Sequence, residues 1–294
     1  MSDVTLLKCR SGSVGLRPAR TQNFPVHLFH NVDMPNVPVS EVGGTQSIRR
    51  VATILRILAA GQDIGVRVTD IAEQAELNRS TVHRMLRALV EEDLAEQVAA
   101  TRRYVLGREA TLLGLARRSV FRIRAVADPY LHSLCLKSGD SVFLTIRSGA
   151  DSICVDRKTG THPIQLLSVE IGVRRPLGVG VGGLVLLAFL PEAESGQFLR
   201  KNEARLAAHG ISRHVIDDRI AVARKKGYAY TDVGVLRGTR AVSLPVLNTD
   251  GRAIAAVTVS SMAARLTPAR VLDVVNLMRA QVEGIARSLG KIEN

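Results

Sequence analysis

The pattern of apolar and polar positions changes near residue 47. Residues 1–43 lack helical or strand periodicity and are interrupted by prolines and glycines, which predicts a flexible tail. The alternative that translation starts at Met34 would shorten this tail. From Ser47, the apolar side chains recur every three to four residues, as on the buried face of a helix. They are Ile48, Val51, Ile54, Leu55 and Leu58. We therefore expect a first helix with Ser47 as its N-cap and Gly61 at its end.

Two more helices and a hairpin are expected in the next stretch. Thr69 is suited to cap the second helix, and a short turn separates that helix from a third over Arg79–Glu91. Extended pieces over 94–98 and Tyr104–Leu106 then follow as a hairpin. Three helices closed by a hairpin predict a winged helix-turn-helix domain over residues 44–107.

The third helix has two contrasting faces. Because a helix turns by about 100° per residue, one side of it is a continuous apolar stripe. This stripe consists of Val82, Met85, Leu86 and Leu89. The polar positions around the rest of the helix are Arg79, Ser80, Thr81, His83, Arg84 and Arg87. Arginine binds guanine through two hydrogen bonds and serine or threonine reaches bases or phosphates, so this helix is predicted to read the major groove of DNA. The alternative is an ordinary surface helix whose arginines face water.

The hairpin tip carries two further candidates for DNA contact. Arg102 and Arg103 lie at this tip and resemble the phosphate or minor-groove contacts of a wing. A turn whose arginines are simply hydrated is the alternative interpretation.

The remainder of the chain mixes helices and strands. Residues 108–137 are expected to be helical with a break near Pro129, and residues 108–124 are expected to serve as a linker helix. Residues 125–294 are expected to form an α+β domain with a mainly antiparallel sheet. Its predicted strands are 141–147, 152–156, 164–169, 228–231, 240–247 and 253–260, and its predicted helices are 184–189, 192–208, 214–226 and 268–289.

The net charge of +13 suggests a polyanionic partner, either nucleic acid or an anionic membrane surface. However, residues 44–107 carry nine basic and eight acidic side chains, so the predicted DNA-binding domain has almost no net charge. Its arginines are therefore expected to bind DNA because of where they lie on the helix and the wing, and not because positive charge is in excess. The most basic stretch for its length is 108–124, with five basic side chains and one acidic one. These charges either attract phosphates or form a solvated helix face.

The chain offers little for catalysis or for a cofactor. Cys9, Cys135 and Cys154 are too few and too widely spaced for a disulfide framework or a CxxC site, which favours a reduced, cytoplasmic protein. Cys154 and Asp156 are expected on one face of a strand with His162 nearby, but no nucleophile elbow or metal-ligand spacing accompanies them. We therefore predict no enzyme activity, no metal and no cofactor.

Two other features bear on nucleotides and membranes. Residues 178–183 match G-x-G-x-x-G but follow a poor strand candidate, so no dinucleotide site is expected, although backbone N–H groups before a helix are suited to a carboxylate. The longest apolar run is far shorter than the roughly 18–20 residues that span a bilayer, and the first residues lack the pattern of a secretory signal. No membrane partner is expected.

Seven short segments occur in a characteristic order. In the first domain they are GTQSIRR (44–50), LNRSTVHRMLRAL (77–89) and RRYVLG (102–107). In the second they are RRPLGVGVGGLVLLAFLP (174–191), KKGYAYTD (225–232), GTRAVSLPV (238–246) and AVTVSSMAARLTP (256–268). These segments resemble the IclR family of bacterial transcription regulators. The resemblance implies a winged helix joined by a linker helix to a GAF-like effector-binding domain. It also implies dimers or tetramers that bind palindromic operator DNA and respond to small organic acids or aromatic catabolites.

The same resemblance implies where the effector pocket lies. Its positions are Ile164, Leu167, Val181, Gly182, Thr231, Asp232, Ala241, Thr258 and Ser260. The family often has an acid at position 231, cysteine at 241 and histidine at 178, so this pocket has lost polar groups and the resemblance implies no particular ligand. Asp93 also replaces the glycine that usually follows the reading helix.

The sequence therefore predicts a DNA-binding transcription regulator whose operator affinity is modulated by a small organic effector, acidic or aromatic. One alternative is a ligand-independent DNA-binding protein whose C-terminal domain serves only oligomerisation. Another is an enzyme with a nucleic-acid-binding appendage, for which the chain lacks a catalytic constellation.

Overall fold

A computed structural model describes residues 45–115, 118–166, 169–231 and 237–293. The N-terminal part contains three helices and a hairpin, which confirms the predicted winged helix-turn-helix. These elements are α1 (Gln46–Gly61), α2 (Val68–Gln74), α3 (Arg79–Glu91), β1 (Ala95–Gln97) and β2 (Tyr104–Leu106). The predicted tail over residues 1–43 lies outside the described residues.

One apolar core holds the three helices and the wing together. Ile54, Ile71 and Leu86 come from three different helices and are fully buried in it. The hairpin gains a third extended piece, because Val66 and Tyr104 exchange two backbone hydrogen bonds of 2.8 Å. The wing is thereby attached to the segment that leads into α2.

Two of the predicted helix caps are wrong. α1 has Thr45 and not Ser47 at its N-cap position, and α2 has Arg67 and not Thr69. The Thr69 hydroxyl instead donates to the Asp70 carboxylate at 3.1 Å. Neither helix has a side-chain cap hydrogen bond at its start.

In the turn after α3, Asp93 takes the place of the glycine that is usual in the family. Asp93 has a φ of 54°, in the left-handed region that glycine adopts freely and aspartate tolerates better than most residues. Gly107 packs directly against this turn, and a Cβ at position 107 would overlap the Asp93 carbonyl oxygen. The glycine is therefore required at 107.

Two helices lead from the wing into the second domain. They are α4 (Arg108–Leu115) and α5 (Arg118–Ser138). The predicted break near Pro129 is wrong, because α5 runs through that residue. Pro129 is exposed, so water can satisfy the carbonyl that loses its helical partner. The boundary expected between residues 124 and 125 falls within α5.

The second domain is built on a six-stranded sheet, and every strand pair in it is antiparallel, as predicted. The strand order is β5-β4-β3-β8-β7-β6. The strands are β3 (Ser141–Ser148), β4 (Asp151–Lys158), β5 (Arg174–Pro176), β6 (Ala229–Thr231), β7 (Thr239–Leu247) and β8 (Ala253–Met262). The helices are α6 (Gly180–Ala188), α7 (Glu192–Ala208), α8 (Arg213–Lys226) and α9 (Pro268–Glu293).

The structure differs from the prediction at the edge of this sheet. The strand expected over 164–169 is wrong for 164–166, and residues 167 and 168 lie outside the described part. A loop is held there instead, because the Gln165 amide donates to the carbonyl oxygens of Gly139 and His162. The additional strand β5 contains Pro176, which a sheet accepts at an edge because an outward-facing N–H is not needed.

The sheet has two different faces, which matches the expected GAF-like arrangement. One packs against α5 and α9 through an apolar core that includes Leu131, Val257 and Met278. The other, which we call the α6 face, packs against α6 and α8. Among the described helices, none combines the length and apolarity that crossing a bilayer requires.

Candidate functional site

The two faces predicted for α3 are present. Val82 and Leu86 are fully buried and Leu89 is 4% exposed, so the apolar stripe is part of the domain core. The exposed polar residues are Arg79, Ser80, His83, Arg84 and Arg87, while Thr81 is half-buried at the edge of the stripe. Packing on one side thus fixes the helix, and its arginines are presented to solvent on the other side.

The wing orients its two arginines differently. Arg102 is exposed at the tip, where a φ of 58° turns the chain and the Val98 N–H donates to the Arg103 carbonyl at 2.9 Å. The Arg103 guanidinium is half-buried, and its Nη1 donates to the Gly65 carbonyl at 3.1 Å. Arg103 therefore also fastens the wing to the loop before α2, whereas Arg102 points into solvent.

The α6 face brings together many of the positions implied for an effector pocket. Thr231, Ala241 and Ser260 lie side by side on three neighbouring strands. Thr258 lies in the next row, where α6 approaches it closely: a Cβ on Gly182 would be 3.2 Å from the Thr258 hydroxyl. A larger residue at 182 would therefore push against the hydroxyl.

The remaining implied positions are less uniform. Val181 is buried in α6, whereas Ile164 is 58% exposed on the loop at the sheet edge. Leu167 and Asp232 lie outside the described residues.

Two hydroxyls on the α6 face were not anticipated from the sequence. Ser243 pairs with Thr258 across the sheet and accepts a hydrogen bond of 2.9 Å from its hydroxyl. The Thr145 hydroxyl also faces Gly182, at 3.3 Å from a Cβ built there. Strand alternation contains this signal, because Ser243 lies two residues after Ala241 and therefore on the same face. The face has kept hydroxyl groups although the family's cysteine and histidine positions have changed.

A β-bulge separates Cys154 from Asp156. Thr145 pairs with Cys154 and Leu144 pairs with Asp156, so the two residues lie on opposite faces and the prediction of a shared face is wrong. Cys154 lies on the α6 face, where burial raises the pKa of its thiol to about 12. A thiol that stays protonated is a poor nucleophile. Asp156 is directed away from the α6 face, towards Arg124 and Lys158 at 3.5 and 3.6 Å.

Within the ranges that the structure covers, no group of three or more histidine, cysteine, aspartate or glutamate side chains is arranged to hold a metal ion.

Sequence comparison assigns both domains to one family. The family model described as bacterial transcriptional regulator IclR C-terminal matches residues 117–287, and the IclR helix-turn-helix domain model matches residues 47–99. The chain belongs to the IclR family. The Escherichia coli (strain K12) transcriptional repressor IclR is 26% identical over 79% of this chain and 85% of its own length. The glycerol operon regulatory protein of Streptomyces coelicolor is 30% identical over 83% of this chain and 96% of its own length.

Solved structures agree with the IclR-family assignment. A transcriptional regulator from Rhodococcus sp. RHA1 is 27% identical and has a TM-score of 0.64, with 84% of this chain and 99% of that chain covered. An IclR homolog from Microbacterium hydrocarbonoxydans, solved in complex with 4-hydroxybenzoate, shares the fold with a TM-score of 0.66 at 20% identity, covering 83% of this chain and 99% of that one.

In this IclR-family chain, the DNA-binding domain touches the loop between β4 and β5. The Gln62 side-chain amide, at the end of α1, donates to the Glu170 carboxylate at 3.1 Å and to the Ile171 carbonyl at 3.2 Å. A Cβ on Gly172 would be 3.2 Å from the Ala59 carbonyl oxygen, so the two backbones also approach closely. The contacted loop is the one that carries the implied pocket positions 164 and 167.

Proposed function

We propose that this protein is a cytoplasmic, homo-oligomeric transcription regulator that is not an enzyme. In this proposal α3 reads operator DNA, and a small organic effector bound on the α6 face changes the affinity for that DNA. The observation that carries the proposal is the division of α3 into an apolar stripe packed in the domain core, with Val82, Leu86 and Leu89 buried and Met85 half-buried, and an exposed face with Arg84 and Arg87. A helix held in this way is suited to direct contact with base edges in the major groove.

The proposed contacts fall into two classes. Arg84 and Arg87 near the middle of α3 are assigned to base edges, together with Ser80 and His83. Arg102 at the wing tip is assigned to the phosphate backbone, since an exposed arginine on a turn gives affinity but little sequence preference. In a symmetric dimer, the two copies of α3 would meet successive major grooves on one side of the duplex.

Modulation by an effector is supported by the contact between the domains. Gln62 binds Glu170 and Ile171, in the same loop that approaches the α6 face at Leu166, whose N–H donates to the Ser141 hydroxyl at 3.0 Å. A ligand that displaces this loop would also displace the surface on which the DNA-binding domain rests. The 4-hydroxybenzoate complex of the Microbacterium hydrocarbonoxydans homolog supports a small organic ligand as the effector.

Operator binding is the test of the DNA-reading role. Genomic fragments retained by the protein would be sequenced to define the operator, and binding to operator and to shuffled DNA would then be measured by fluorescence anisotropy. Arg84→Ala should weaken operator binding by about 1–3 kcal/mol, roughly 5- to 150-fold, with a much smaller loss on shuffled DNA. Arg287→Ala is the matched control, because Arg287 is an exposed arginine of the second domain.

The wing provides the contrasting result. Arg102→Ala should weaken binding to both DNAs by the same factor and reduce the slope of affinity against salt concentration by about one. If Arg84→Ala instead lowered operator and shuffled binding equally, α3 would not read bases at that residue. If small organic acids and aromatics left operator affinity unchanged, the C-terminal domain would serve oligomerisation alone.

A further inference from the structure

We infer that Arg157 supplies the positive charge that binds the carboxylate group of the effector on the α6 face. The ligand class is a small monocarboxylate with an apolar body. The inference rests on the proposed function only in taking the α6 face as the effector site.

Strand pairing places Arg157 on the α6 face. Arg157 on β4 lies opposite Phe143 on β3, and Phe143 lies opposite Thr258 on β8. Directly paired residues of an antiparallel sheet project to the same side, so Arg157 shares the face on which Thr258 and Thr145 meet Gly182. Two strand spacings of about 4.8 Å separate the backbones at Arg157 and Thr258. A small ligand lying across β3 can therefore reach both side chains.

The Arg157 guanidinium lacks a partner. Its Nη1 is buried and makes no hydrogen bond, and within the described residues its side chain has neither a hydrogen bond nor an ion pair. Arg205 and Arg240 also have buried nitrogens without partners, but both are held through another nitrogen. Nη1 of Arg205 donates to Asp151 at 2.7 Å, and Nη1 of Arg240 donates to the Ala263 carbonyl at 3.0 Å. Among these three, Arg157 alone has a guanidinium without a hydrogen bond to a described residue.

A cation in this position favours a bound anion. Arg157 is half-buried and its Nη1 is fully buried, and removing charge from water is costly unless an opposite charge or hydrogen bonds compensate for it. Asp156, the adjacent acid, projects from the opposite face towards Arg124 and Lys158. Cys154 is the nearest titratable group of β4 on the same face, and its buried thiol is neutral. An anion from outside the chain is therefore the natural counter-charge.

The surroundings select a carboxylate. A single guanidinium matches one negative charge and binds a planar carboxylate through two parallel hydrogen bonds. The hydroxyls of Thr145, Ser243 and Thr258 on the same face can bind a second polar group of the ligand. Phe143 is buried and lies on β3 between Arg157 on β4 and Thr258 on β8, so its side chain provides an apolar wall.

The inference is tested by binding of benzoate and of its neutral analogue benzamide to the full-length protein without DNA. Calorimetric titration at constant ionic strength would compare the natural protein with Arg157→Gln, Arg157→Lys and the matched control Arg287→Gln. We expect benzoate to bind the natural protein and the control alike. We expect Arg157→Gln to weaken benzoate binding at least about tenfold, because a hydrogen bond to a charged group is lost. Arg157→Lys should restore part of the affinity, and benzamide binding should not depend on residue 157.

A second measurement does not need the ligand. Arg157→Gln removes an uncompensated charge, so without benzoate its melting temperature should equal or exceed that of the natural protein. A clearly lower melting temperature would mean that Arg157 has a structural partner, and would overturn the inference. Equal benzoate affinity of Arg157→Gln and the natural protein, or affinity for benzoate weaker than roughly 10 mM, would overturn it too. Because DNA is absent, a failure here is distinguishable from a failure of the operator test with Arg84→Ala.

Discussion

Alanine substitutions at two glycines of α9 should have opposite effects on stability. At Gly284, a Cβ would overlap Cε1 of Tyr130 on α5 and lie 2.9 Å from Cδ1. Carbon atoms normally approach to about 3.5–4.0 Å, so the ring would have to move. The ring is held by a hydrogen bond of 2.8 Å between the Tyr130 and Ser288 hydroxyls. Gly290, on the same helix, has no atom within 4 Å of a Cβ built there.

The magnitudes follow from this geometry. Overpacking costs about 1–3 kcal/mol and the lost hydrogen bond about 0.5–1.5 kcal/mol, while alanine gains up to about 1 kcal/mol in helix propensity over glycine. Gly284→Ala should therefore destabilise the protein by about 0.5–4.5 kcal/mol. Gly290→Ala should stabilise it by up to about 1 kcal/mol.

Urea unfolding followed by circular dichroism would measure both free energies of unfolding. Gly284→Ala and Gly290→Ala introduce the same residue change into the same helix and are measured in the same assay. Each variant is therefore a control for the effect of helix propensity in the other. A stabilising effect at Gly284, or destabilisation of equal size at both positions, would refute the idea that α9 and α5 pack through a close contact of Tyr130 with the glycine backbone.

Three further predictions concern buried groups. Asp140 is 2% exposed and accepts hydrogen bonds from two arginines and a serine. Asp140→Asn should therefore lower the protein's free energy of unfolding by about 3–5 kcal/mol. Asp217 is exposed and ion-paired, so Asp217→Asn should lower the free energy of unfolding by less than about 1 kcal/mol. Equal losses for the two variants in urea unfolding would contradict the idea that burial makes the Asp140 contacts more important for stability. Because burial raises the pKa of Cys154 to about 12, the unfolded thiol loses its proton first as pH rises. The stability of the natural protein relative to Cys154→Ala should therefore fall above roughly pH 9, by up to about 1.4 kcal/mol per pH unit; a constant difference between pH 8 and 10 would refute it. Leu86→Ala should lower the free energy of unfolding by about 2–5 kcal/mol and abolish operator binding. Val90 is exposed on the same helix, so Val90→Ala should leave operator binding intact.

The DNA-binding half could be predicted well because its information is local. α3 has an apolar residue at each inward position and no competing pattern, so the sequence predicts both its bounds and its exposed arginines. The caps of α1 and α2 could not be predicted in the same way. Ser47 and Thr69 are suited to capping, but both lie inside helices that begin before them, at Gln46 and Val68, without a side-chain cap hydrogen bond. A cap is worth only about 1 kcal/mol, so a capping residue alone does not fix where a helix begins.

The α6 face was less accessible to sequence reasoning because its residues are distant along the chain. Thr145, Ser243 and Arg157 share this face only through strand register, and a one-residue shift moves a side chain to the opposite side. The bulge in β4 is such a shift, since it puts Cys154 and Asp156 on opposite faces. No local sequence pattern predicts that bulge, so the proposed role of Arg157 depends on knowing the strand pairing.

The contact between the domains sets a scale for regulation. Gln62 makes two hydrogen bonds to the loop between β4 and β5, and each is worth about 0.5–1.5 kcal/mol net. Allosteric coupling energies are typically about 1–3 kcal/mol, equivalent to a 5- to 150-fold change in affinity. Loss or gain of the Gln62 contact alone is thus large enough to account for a typical effector response. In the proposed function, an effector need only favour one position of this loop, because a ligand shifts an equilibrium by its difference in affinity for the two states.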